Sequence, residues 1–216
     1  MLNKPQKFFE SYLNNDTQGL SKYLYKINDE IIKENSLNLS NEVLDKYKNL
    51  PGAATKIGIN HYNIFMFPSD EIYNLYCELK NLTKKACEYY EIDFNLENYV
   101  IHGWFNFDYK SSGNKVDPVK NPEQLHDHFG GTGIPHFHGY YCVDAEPSIT
   151  YYKLDKNNND LFENVNKNNR AIISETGYPH ARGDWQQDQA RVTIAYDIIP
   201  FREIRNSKSM KWIPFK

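Results

Sequence analysis

The chain has 216 residues, enough for one domain with a sizeable core and too few for two comfortable ones. Its net charge of −3, with both signs mixed and no long basic run, argues against generic nucleic-acid binding and leaves acidic and neutral partners equally open. Three cysteines without metal-finger spacing (Cys77, Cys87, Cys142), a polar N-terminus and no run of 18 apolar residues lead us to expect free thiols and a soluble, cytoplasmic protein with no membrane partner.

Along the first half the texture is helical. Weak three- and four-residue periodicity predicts helices over 5–13, 20–33 and 41–47. Residues 57–67, rich in Ile, Tyr and Phe and closed by Pro68, predict a strand. The firmest element is a helix over 69–90. There Ile72, Leu75, Tyr76, Leu79, Leu82, Ala86 and Tyr89 recur at helical spacing behind a Ser69-Asp70-Glu71 capping start.

After Tyr99 the pattern changes to short aromatic and β-branched runs separated by Gly, Pro, Asn and Asp: YVIHGWFNF, HGYYCV, SITYYKL, AIISE and ARVTIAYDII. Five such runs predict a β-sandwich or barrel. Two polar inserts, 110–124 and 155–169, read as surface loops and candidate substrate lids. The expected organisation is one domain: a helical support over 1–98, a β core over 99–201 and a tail over 202–216. In that tail Arg202, Arg205, Lys208 and Lys211 form a modest solvated basic cluster.

The chemistry-bearing residues lie in the β half. Residues two apart on a strand share a face, so His126 and His128 can converge on one ion from a single extended segment. A third ligand must come from elsewhere, and His180, after a strand-like run and a Gly177 to Pro179 turn, is the candidate. His136 and His138 form a second His-x-His pair, while His61 and His102 sit in apolar runs and read as core or pocket-wall residues. In the last run Arg191, Thr193, Ala195 and Asp197 share one face. The opposite face, Val192, Ile194, Tyr196 and Ile198, is apolar and suited to packing under the helices. A guanidinium fork at Arg191, with the Thr193 hydroxyl beside it, can hold a carboxylate. Asn106 shares a face with His102, Trp104 and Asp108 and can add an amide bond to the same group.

Over 104–200 the motifs W-F-N, H-D-H, H-G-Y-Y-C-V, P-H and Q-A-R-V-T-I-A-Y-D resemble the core of the 2-oxoglutarate- and Fe(II)-dependent oxygenases, most closely small members encoded by tailed phages of marine bacteria. The resemblance implies an α+β fold whose mainly β core is a double-stranded β-helix, a cupin-like jelly roll, with N-terminal helices packed on its major sheet. It implies a hydroxylase that consumes O2 and 2-oxoglutarate and acts on a protein side chain or small molecule. His126 and His180 become iron ligands, and Arg191 with Thr193 binds the far carboxylate of the cosubstrate. Such enzymes carry His-x-Asp or His-x-Glu where this chain has His126-Asp127-His128. The third ligand is therefore His128, or Asp127 if a bulge turns it inward. The resemblance places ligands well before the paired tyrosines, so His136 and His138 are expected to line the pocket or cap the strand. Two other readings stay open: a three-histidine cupin-like dioxygenase without 2-oxoglutarate, and a jelly-roll virion or binding module without catalysis.

Overall fold

A computed structural model of the chain describes residues 7–36, 62–92, 99–110, 118, 120–128, 137–155, 160–175, 178–206 and 210–215. Among the described residues, two α-helices, α1 (Thr17–Ser36) and α2 (Asp70–Tyr90), accompany nine strands. The strands are β1 (Phe9–Tyr12), β2 (Tyr99–Asp108), β3 (Phe137–Asp144), β4 (Ile149–Tyr152), β5 (Phe162–Val165), β6 (Arg170–Glu175), β7 (His180–Arg182), β8 (Arg191–Pro200) and β9 (Ile213–Pro214). They form a six-stranded sheet in the order β1-β6-β3-β8-β2-β9 and a three-stranded sheet in the order β5-β4-β7. All pairings are antiparallel. The protein is thus a β-rich α+β fold, and no described helix is long and apolar enough to cross a membrane.

The helices cover one face of the large sheet because each carries an apolar stripe. Leu20, Leu24, Ile27 and Ile31 of α1 and Ile72, Leu75, Leu79 and Leu82 of α2 are buried in one core with Val192, Ile194, Tyr196 and Ile198 of β8. Ser69 caps α2 by accepting a hydrogen bond from the Ile72 amide, as its position before Asp70-Glu71 suggests. Helix α1 runs beyond the expected 20–33 at both ends, with the Asp16 side chain accepting from the Gly19 amide at 3.0 Å. The five β runs each become a strand. Free thiols are found at Cys77, Cys87 and Cys142.

Four expectations are corrected. The described part of 5–13 holds β1, not a helix: Phe9 is drawn into the core, and the backbone pairs with the edge of the large sheet from Phe9↔Ile173 to Tyr12↔Arg170. Within the described part of 57–67, Ile64–Met66 is a 3₁₀ turn instead of a strand. The buried Asn63 side chain accepts from the Phe65 amide and donates to the carbonyls of Ile101 (2.9 Å) and Lys211 (2.7 Å), so a side-chain cap displaces the ladder. The insert 155–169 is not all loop: it contains β5, whose Asn164 is buried together with Asn166 just beyond it. The segment 202–216 is not a solvated tail, because β9 pairs with Val100 and Ile101 and Phe215 is fully buried against Tyr76. The helix expected over 41–47 lies outside the described residues, as do His61 and His136.

Candidate metal and anion site

The inner faces of the two sheets enclose a cavity of about 470 Å³. Strand alternation selects its walls: Trp104, Asn106 and Asp108 from β2, His138 and Tyr140 from β3, Thr150 from β4, and Arg191, Thr193 and Ala195 from β8. His126 enters by a backbone bridge to β7, His126 N to His180 O at 3.0 Å and His180 N to His126 O at 2.8 Å. This bridge sets two histidines that are far apart in sequence directly opposite each other.

His126, His128 and His180 each offer a ring nitrogen, and these atoms lie within 4.8 Å of one another. Their ring centroids are 4.6 Å (His126 to His180), 5.2 Å (His128 to His180) and 5.3 Å (His126 to His128) apart. The backs of the rings are held. Nδ1 of His180 lies 3.2 Å from the Tyr178 carbonyl, and Nδ1 of His128 lies 3.3 Å from Asp197. Both contacts place the proton on Nδ1 and leave Nε2 as the lone-pair donor, the arrangement metal-bound histidines show. Asp127 is exposed and belongs to neither group of converging donors.

Asp197 is the residue whose part sequence reasoning missed. It is fully buried on β8, opposite both His102 of β2 and His138 of β3. Its oxygens accept from His138 Nδ1 at 2.8 Å and His128 Nδ1 at 3.3 Å. With these two histidines it forms a second converging group that shares His128 with the first. Burial by itself would raise the Asp197 pKa; the two imidazoles overcome this and hold it well below the usual carboxylate range. Burial also works against a charged His128, but the hydrogen bond and charge of Asp197 prevail and raise that pKa. His138 is pushed down to about 4, first by desolvation and then by the charge that protonation of His128 would place beside it. His180 is lowered by burial and then by the neighbouring histidines, and His126 by burial and then by His128. Neutral, Nδ1-protonated rings are the ligand-ready state of imidazole. The face shared by Arg191, Thr193, Ala195 and Asp197 was readable from the period of two, and it was the signal for this residue.

The other end of the cavity is cationic. Arg191, buried, donates from Nη1 to Asp108 Oδ2 at 2.8 Å and from Nε to Ser148 Oγ at 3.1 Å. In register, Asp108 lies opposite Arg191 and Asn106 opposite Thr193, so all four share the wall. Ser148 is fixed in turn by Asn166 (2.8 Å), which accepts from Tyr140 (2.9 Å); Asn164 donates to the same phenol (2.6 Å) and accepts from Arg170 (3.0 Å). The asparagines of the 155–169 insert therefore serve as a buried brace for Arg191, which explains why that insert folds in. Between His180 and Arg191, the chain wraps round the fully buried Trp185, whose indole donates to the Gln189 carbonyl at 2.6 Å. That turn holds the two sites at a fixed separation on adjoining sheets. His102, fully buried, stacks on Trp104 at 5.6 Å, and Trp104, which lines the cavity, stacks in turn on His128 at 5.9 Å.

No protein-family model matches the sequence, and no curated protein matches it significantly. Among solved structures, the apo form of ThoJ, a non-heme monooxygenase, aligns with 98% of this chain and 77% of its own at a TM-score of 0.50 and 10% sequence identity. A nickel complex of ThoJ aligns over the same shares at 0.48 and 11% identity. At such identity the likeness to apo ThoJ is one of fold alone, and it spans nearly the whole chain.

Proposed function

We propose that the chain is a non-heme Fe(II) oxygenase that uses 2-oxoglutarate and O2 to hydroxylate a C–H bond of a protein side chain or small molecule, releasing succinate and CO2. The observation that carries this is the convergence of His126, His128 and His180 at one end of a cavity whose other end presents Arg191, Thr193 and Asn106. The strand order supports a double-stranded β-helix. Counting the His126 segment as a strand, the inner eight pair as β2-β8-β3-β6 and His126-β7-β4-β5.

The donor set fits Fe(II): three imidazole nitrogens converge, and His128 and His180 hold their Nδ1 protons on Asp197 and the Tyr178 carbonyl, which leaves their Nε2 atoms as the ligating nitrogens. An iron ion held there supplies the activation of O2 that is coupled to decarboxylation of 2-oxoglutarate. The protein's own part is to bind and orient. Arg191 presents a guanidinium fork braced by Ser148, and Thr193 and Asn106 stand beside it as hydroxyl and amide partners for the far carboxylate. Trp104 packs its ring against His128, and Asp197 keeps His128 in the ligating tautomer.

One observation favours a second reading, a three-histidine dioxygenase without 2-oxoglutarate: Arg191 already has an internal carboxylate partner in Asp108. The test is anaerobic Fe(II) titration of wild type and His180→Ala, followed by 2-oxoglutarate addition and an assay of O2-dependent succinate. We expect stoichiometric Fe(II) in wild type only, an absorption change with 2-oxoglutarate, and metal-dependent succinate. Iron without any response to 2-oxoglutarate would select the second reading, and absence of iron binding would leave a non-catalytic module.

A further inference from the structure

Beside the His126 to His180 bridge, two further polar residues reach the same cavity. Gln124, at the end of a short 3₁₀ turn two residues before His126, and Arg182, two residues after His180 at the end of β7, both line the cavity. Each carries a buried polar atom that is unbonded among the described residues: Gln124 Oε1, an acceptor, and Arg182 Nη1, a donor. A desolvated donor or acceptor without a partner is unfavourable, so a donor and an acceptor left unpaired along one cavity point to a ligand that bonds both.

The local charge specifies the ligand further. Arg182 Nε reaches Asp108 Oδ1 at 3.1 Å while Arg191 holds Asp108 Oδ2 at 2.8 Å, so two guanidinium groups share one carboxylate. Once Arg191 serves a cosubstrate carboxylate, Arg182 keeps a donor free for a second anion. We infer that Gln124 and Arg182 recognise the substrate of this site, and that the substrate bears a carboxylate with a neighbouring N–H: the α-carboxylate goes to Arg182 and the N–H to Gln124 Oε1. This rests on the oxygenase reading for what happens next, but not for binding. A free amino acid and the C-terminal residue of a peptide carry the same pair of groups.

The test is a calorimetric panel of the twenty L-amino acids, their N-acetyl derivatives and the matching α-amides, run with full-length protein both metal-free and loaded anaerobically with Fe(II) and 2-oxoglutarate. We expect at least one carboxylate to bind, its α-amide to bind at least tenfold more weakly, and Arg182→Gln to lose at least tenfold while its Fe(II) affinity is kept. Binding of the free form alone identifies an amino-acid substrate; binding of the N-acetyl form identifies a peptide C-terminus. If no carboxylate binds, or the α-amide binds as well, the inference is overturned by wild type alone, whatever the folding of the variant. Failure of wild type to take up Fe(II) or 2-oxoglutarate would instead sink the oxygenase reading, and the metal-free arm still decides this one.

Discussion

Replacing Asp197 by Asn tests whether the buried carboxylate controls the metal site. The side chain keeps its size, but an amide has one acceptor oxygen where the carboxylate has two. His138 makes the shorter contact, 2.8 Å against 3.3 Å for His128, so the amide oxygen stays with His138 and the NH₂ group turns to His128. To accept from that NH₂, His128 must move its proton from Nδ1 to Nε2, and the nitrogen that faces His126 and His180 ceases to be a donor. The lost contact is a hydrogen bond to a charged group, worth roughly 1.5–3 kcal/mol. That corresponds to about 10- to 100-fold in metal affinity, which is also the usual effect of removing a group that orients a ligating histidine. Anaerobic calorimetry of Fe(II) binding, with a urea melt to establish that the variant is folded, measures it. A folded Asp197→Asn protein with wild-type affinity would refute the role given to Asp197.

Three further outcomes are expected. In chelator-treated protein, His138 titrates near 4 and His126 and His180 are also lowered, whereas an unfolded histidine titrates near 6.5. The unfolded chain thus binds protons that the native one refuses: this stability is present above pH ~6.5 and is lost as pH falls toward 4. His128, raised, contributes in the opposite sense, with stability lost as pH rises through its folded value, but stands alone against three. The urea midpoint should fall between pH 7.5 and 5, and a higher midpoint at pH 5 would contradict the assignment. Arg191→Lys retains charge but not the fork that serves Asp108 and Ser148 at once, so half-saturation by 2-oxoglutarate should rise at least ~10-fold with Fe(II) binding unchanged, and an unaltered requirement removes Arg191 from the cosubstrate site. Gly139→Ala would drive a Cβ into the Ile172 carbonyl and the Tyr196 ring, where β3 packs tightly beside β6 and β8, costing about 1–3 kcal/mol or more; an unchanged melting temperature would show that the strands can part there.

The residues that line the cavity were legible because strand alternation is a local rule. Given the runs 99–107 and 190–199, the faces of Asn106, Arg191 and Thr193 follow without knowing which strands pair. What the sequence conceals is pairing. Nothing in the order of residues says that β8 lies between β2 and β3, so nothing says that Asp197 sits between His102 and His138. The same holds for Gln124 and Arg182, 58 positions apart, which line one cavity because His126 bridges to His180. The errors have a common cause as well. Periodicity over 5–13 reads as helix, yet the edge of β6 offers unpaired backbone groups, and a strand satisfies them. Asparagine-rich composition in 155–169 reads as loop, yet buried asparagines serve Arg191 and Arg170 through a network that only the fold assembles. The C-terminal apolar residues Trp212, Ile213 and Phe215 were the overlooked local sign that the tail returns to the core.

The position of Asp197 also bears on how a His-x-His segment can stand where relatives of the resembled family use His-x-Asp. Substituting imidazole for carboxylate removes a negative charge from beside the ion, which weakens divalent metal binding unless the charge is supplied elsewhere. Here a carboxylate held well below its usual pKa lies one hydrogen bond behind His128, on the far side of the ring that in the proposed site would stand in the acid's place. The charge is moved back by the width of an imidazole, and the ring between transmits it by fixing the proton on Nδ1. The move has a cost, since a buried anion must keep its partners, and His138 provides the second one at 2.8 Å. Substituting His138 alone should therefore weaken metal binding although it need not touch the ion. His138→Phe, which keeps the stacking surface but not the donor, should lower Fe(II) affinity less than Asp197→Asn does. An Fe(II) affinity for His138→Phe below that of Asp197→Asn would mean that His138, not His128, is the ligand in contact with the metal.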